Sequence, residues 1–165
     1  MPATPLARRH WAAREVWGTT TIEAVEVSQV RNRLRRAIDG ARDHAQQRRQ
    51  HVAEAERSYQ ALLDEVATPL VRQVANALKV EGYGFTVFTP GNGLRLASDR
   101  GRDDYIEFAL DDAGERPEVI ARISRTRGSR TIAEERAVKP GAAPDAITEE
   151  ELLEFLLAAL DPWLQ

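Results

Sequence analysis

The chain has 165 residues, 30% of them charged, a net charge of -3 and no cysteine. That length suits one domain with an extension, and the lack of thiols excludes disulfide frameworks, thiolate catalysis and cysteine-type zinc sites; it fits a cytoplasmic setting. The longest apolar run, LLEFLLAAL, is too short to cross a bilayer, and the N-terminus lacks the continuous apolar segment of a secretory signal, so no membrane partner is expected.

The charge is unevenly placed. Residues 1–57 carry net +4 and residues 58–165 net -7. A basic front and an acidic back attract each other within one molecule or between copies. Nearly all the basic residues are arginine; Lys79 and Lys139 are the only lysines.

Residues 1–20 read as an N-terminal arm, with Pro2 and Pro5 discouraging helix at the start. Trp11 and Trp17 suggest that the arm packs on something, either its own chain or a partner. Thr20 and Glu23 then form a T-x-x-E capping pattern. Residues 21–82 read as one long helix, kinked or broken near Pro69. Val27, Leu34, Ile38, Ala41, Ala45, Val52, Ala55, Tyr59, Leu62 and Val66 follow a heptad seam in which Arg48 fills one gap. Such a helix over residues 21–67 would span roughly 70 Å, too long for a small globule to bury fully. A break at Gly40 would give a hairpin. Glycine costs only ~1 kcal/mol against alanine there, so a continuous helix is expected. Gly82 suits the C-terminal cap.

Residues 83–165 read as an antiparallel sheet plus a C-terminal helix, forming one head. Strands are expected at 84–89, 94–98, 105–112, 118–126 and 130–138. TPGNG at 89–93 superficially resembles a phosphate loop. The alternating LRLAS that follows points to a hairpin instead, because a phosphate loop needs a helix N-terminus after it. Thr148 and Glu151 form a second T-x-x-E box, opening a helix that Pro162 should end. The expected fold is α+β: a long N-terminal helix, a four- to five-stranded antiparallel meander, and a C-terminal helix on one sheet face.

Catalytic signatures are lacking. His10, His44 and His51 lie outside the sheet region. His44 and His51 stand seven apart, ~10 Å along a helix, where chelating pairs stand four apart. Asp99, Asp103 and Asp104 alternate with Arg100 and Arg102 in a turn and do not match a calcium loop. No nucleophile is paired with a base, and neither a Walker loop nor a Rossmann fingerprint occurs. No catalytic residue, cofactor or metal site is therefore assigned. Glu107 and Arg122, with Arg95 beside them, should occupy the sheet face opposite the apolar one. They read as a cross-strand charge ladder or, near Tyr105, as a small-molecule surface or active site.

The stretch RNRLRRAIDGARDHAQQRRQ at 31–50 sets seven arginines against two aspartates. In the heptad, Arg35, Arg42 and Arg49 share position e and edge the seam. Position g (Ala37, His44, His51, Ser58) offers no acid, which disfavours a simple parallel homodimer. An antiparallel pairing sets the stripe near Glu56. Three readings follow for these arginines. They meet acidic groups of a second copy, of the TEEEL region or of another protein; they coat a solvated face with local partners such as Asp39; or they contact nucleic-acid phosphates. The leading expectation is a non-enzymatic interaction protein, self-associating or docking a protein partner. Its helix would contribute Leu34, Arg35, Ile38, Arg42, Arg49, Val52, Tyr59 and Leu62. A nucleic-acid accessory role is second, and a ligand site on the sheet face third.

Overall fold

A computed structural model describes residues 26–165. The arm at 1–20 and the Thr20–Glu23 capping pattern lie outside the described residues. The chain divides into two units between Asp39 and Gly40.

Helix α1 runs Val27–Leu62 without interruption at Gly40. A π-helical turn, Leu63–Ala67, follows and leads directly into α2, Thr68–Val80. The turn has a local cause. Pro69 has no N–H, and its ring would strike the carbonyl four residues back. Widening the preceding turn relieves that crowding, and the Thr68 N–H donates to the Leu63 oxygen, five residues back. Pro69 then sits in the first turn of α2.

Gly82 closes the helical run with φ +89°. The Tyr83 N–H donates to Leu78 O at 2.8 Å and the Gly82 N–H to Lys79 O at 3.2 Å. This is the Schellman pairing, which needs a left-handed residue and so favours glycine.

Five antiparallel strands follow in sequential order: β1 Phe85–Phe88, β2 Leu94–Ser98, β3 Tyr105–Asp111, β4 Glu118–Arg127 and β5 Arg130–Ala137. TPGNG is a hairpin connection, with Gly91 at φ 56° and the Gly93 N–H donating to Pro90 O. Gly128, at φ 63°, begins the two-residue link between β4 and β5, the glycine position of a tight hairpin. Strand β5 is exposed almost throughout and mixes arginines with glutamates, as edge strands do to block unwanted pairing.

One face of the sheet carries Leu94, Leu96, Ile106, Phe108, Val119, Ala121 and Ile123, all buried. They share a core with Tyr59, Leu62, Leu63, Ala67, Leu70, Val71, Val74 and Leu78 of the helical run and with Leu152, Leu156, Ala159 and Leu160 of α3, Glu149–Leu164. The α+β class and its element order are as the pattern of periods implies.

Helix α3 opens with a complete capping box. The Glu151 N–H donates to Thr148 Oγ1 at 3.2 Å, and the Thr148 N–H donates to Glu151 Oε2 at 3.0 Å. Its far end departs from expectation, because Pro162 lies inside the last turn and the helix continues to Leu164. Tertiary contacts hold that turn. Trp163 meets Phe85 edge-on at 6.2 Å, and the Tyr83 hydroxyl donates to Leu164 O at 3.2 Å.

Candidate interaction site

The first surface is the N-terminal part of α1. Val27, Val30, Leu34 and Ile38 are 78%, 50%, 58% and 42% exposed. At 3.6 residues per turn their spacing places all four within one quadrant of the helix. Arg31 and Arg35 edge that quadrant on one side and Arg33 on the other, by the same geometry. Among the described residues Arg31, Arg33, Arg35 and Arg36 make no ion pair. Exposing one apolar side chain is ordinary; an aligned row of four is informative.

Beyond Gly40 the apolar residues of α1 are placed differently. Ala55, Tyr59 and Leu62 are buried, so Tyr59 and Leu62, expected as anchors for a partner, are core residues of this chain's own head. Tyr59 is 3% exposed, and its hydroxyl donates to Phe108 O on β3 at 3.0 Å. Burial pushes its phenol well above the ordinary tyrosine range, and the Glu107 carboxylate adds to the rise. Arg48 donates to Ala113 O in the β3–β4 turn at 3.3 Å. Val52 is half-buried, while Arg42 and Arg49 are exposed. A cleft of about 360 Å³ runs between His51, Glu54, Ala55 and Ser58 on α1 and the loops at 115–117 and 141–145. The local signal for this division was present but silent. Tyr59 is the one aromatic in the seam, and only its distance from the strands in space reveals that it reaches a β-strand carbonyl.

The second surface is the open face of the sheet. Cross-strand pairing sets Phe88 opposite Arg95, Arg95 opposite Glu107, Glu107 opposite Arg122, and Arg122 opposite Glu135. One row therefore crosses all five strands, with Phe88 on β1 and alternating charge from β2 to β5. Arg95 pairs with the Glu107 carboxylate. Arg122 Nε donates to Glu135 Oε1 at 2.8 Å, and this carboxylate raises the Arg122 pKa further, keeping the guanidinium charged. The Arg95 guanidinium also lies 4.3 Å from the Tyr105 ring centroid, within cation–π range. Arg95, Tyr105, Glu107 and Arg122 are thus brought together, with Glu135 as a member the residue pattern did not identify. Because each arginine already has a carboxylate partner, the row carries no net charge toward a ligand.

The aspartate-rich turn has structural work. The Thr86 hydroxyl donates to Asp99 Oδ1 at 2.8 Å, and Asp104 accepts the Thr126 N–H. Among the described residues no three metal-ligating side chains are grouped, and no helix is long and apolar enough to cross a membrane. No family model, no curated protein and no solved structure matches this chain.

Proposed function

We propose that the chain is a non-enzymatic interaction protein whose α1 helix docks a protein partner or a second copy through Val27, Val30, Leu34 and Ile38. The observation that carries this reading is the exposed apolar row with arginines along both of its edges. The apolar side chains supply the burial that drives association. Arg35 at the edge, with Arg42 and Arg49 further along α1, steers an acidic partner and contributes more to orientation and association rate than to affinity. Val52 extends the apolar contribution. Tyr59 and Leu62 act from within the head and hold α1 to it.

The test is affinity capture with the full chain and with Leu34→Glu/Ile38→Glu, each in nuclease-treated and untreated halves. A nuclease-resistant protein, or the chain itself, retained by the parent and lost by the variant is the expected result. Equal retention by both would overturn the reading.

A second reading is a nucleic-acid accessory role, favoured by the arginines at 31, 33, 35 and 36, which make no ion pair among the described residues. Phosphate contact by these groups would give binding that falls steeply with salt. Recovery that vanishes with nuclease, and that weakens when Arg31, Arg33 and Arg35 become glutamine, would select it.

A further inference from the structure

We infer that the partner of the α1 row is the exposed face of α3 in a second copy of this chain, an inference that rests on the reading just proposed. Helix α3 carries Glu149, Glu150, Glu151, Glu154 and Asp161 and no basic residue. Leu157 and Leu164 are 45% and 37% exposed. Helical spacing sets these two leucines in one row, with Glu150, Glu154 and Asp161 along one edge of it. Among the described residues Glu149, Glu150 and Glu154 make no ion pair.

The two surfaces match in kind. Each is an apolar row with charges of one sign beside it: positive at Arg31 and Arg35, negative at Glu150, Glu154 and Asp161. The α1 row, Val27 to Ile38, covers eleven residue steps, about 16 Å of helix, and the exposed leucines of α3, Leu157 and Leu164, cover seven, about 10 Å, with the acidic edge from Glu150 to Asp161 extending further toward the helix start. Self-pairing of two α1 rows would set Arg31, Arg33 and Arg35 of one copy against the same groups of the other, with like charges opposed. Pairing α1 with α3 places opposite charges together along the rim and buries both apolar rows. A two-fold axis allows the contact to occur twice, giving a closed dimer; without closure the same contact propagates into a chain of copies.

Light scattering coupled to size exclusion, on the full-length chain at about 0.1 M and about 1 M salt, tests this. The expected result is a dimer or higher species that loosens at high salt. Reversing Glu150, Glu154 and Asp161 to Arg should weaken assembly by about tenfold, as the loss of a few exposed ion pairs would. Arg31→Glu/Arg35→Glu should do the same, and mixing the two reversed variants should restore assembly with each other. Circular dichroism of each variant verifies the fold. If Leu34→Glu/Ile38→Glu abolishes assembly while the α3 reversal changes nothing, α1 still docks but α3 is not its partner. If the parent chain is monomeric across concentration, the second-copy partner is overturned, and the docking role then stands or falls by the capture experiment alone.

Discussion

The Tyr59 hydroxyl donates a 3.0 Å hydrogen bond to the carbonyl oxygen of Phe108, 49 residues away and in the middle of the sheet. Both side chains are in the core, at 3% and 1% exposure. The bond ties α1 to β3 and satisfies a buried carbonyl that water cannot reach. Tyr59→Phe should cost about 1 kcal/mol, the value of one lost neutral hydrogen bond. Tyr59→Ala should cost about 3–5 kcal/mol, because a cavity is added. Urea unfolding followed by circular dichroism measures both, and a Tyr59→Phe variant as stable as the parent would contradict this role for the hydroxyl.

The same phenol predicts an alkaline limit. Its folded pKa is raised by burial first and by Glu107 second. The folded state therefore holds the proton more tightly than the unfolded chain does. The stabilisation is fully present below the ordinary tyrosine pKa of about 10 and is lost as pH rises above it. Absorbance titration should show Tyr59 ionising only together with unfolding, and Tyr59→Phe should flatten the alkaline limb of the stability curve.

The charge ladder predicts unequal couplings. In the Arg95–Glu107 pair, the Glu107 side chain is 14% exposed, whereas Arg122 and Glu135 are 51% and 59% exposed. Solvent screens the outer pair more. Double-mutant cycles should give about 1 kcal/mol for Arg95 with Glu107 and a few tenths, about 0.3 kcal/mol, for Arg122 with Glu135. A reversed order would mean that the row does not work as a structural ladder.

At acidic pH the α3 cap should fail first. The Lys139 ammonium and the Thr148 N–H hold the Glu151 carboxylate below the usual range, and Lys139 Nζ also donates to Ala146 O at 3.0 Å. A depressed carboxylate contributes stability above its unfolded pKa of about 4.3 and loses it as pH falls through the folded value. Glu151→Gln should remove that part of the acid dependence. Thr148→Ala should cost about 1 kcal/mol at neutral pH through loss of the N-cap. NMR titration of the Glu151 side chain, with thermal melts across pH, tests both.

Gly40 lies inside α1, and a Cβ built there meets no atom within 4 Å. Gly40→Ala should strengthen the helix by about 0.5–1 kcal/mol, since alanine loses less backbone entropy on folding. Hydrogen exchange at flanking amides should slow. Destabilisation would show that the site needs glycine for a reason other than helix propensity.

Much of the architecture is legible in local patterns because its causes are local. Alternation in LRLAS, YIEFALD and EVIARIS tells which side chains share a sheet face, so Arg95, Glu107 and Arg122 can be assigned to the polar face before any pairing is known. Thr148 with Glu151 marks the start of α3, since a capping box involves only four residues. Gly82 marks the end of the helical run, since the left-handed cap depends on one residue's freedom.

Tertiary structure decided the rest. A heptad row records that a helix has an apolar face and says nothing of what covers it. Leu34 and Tyr59 both lie on α1, yet Leu34 is exposed and Tyr59 is buried with its hydroxyl on β3. Pro162 would stop an isolated helix, but Trp163 against Phe85 and Tyr83 on the Leu164 carbonyl hold the last turn in place. Glu135 joined the ladder through β4–β5 register, which the two-residue hairpin at Gly128 sets and neither strand carries alone.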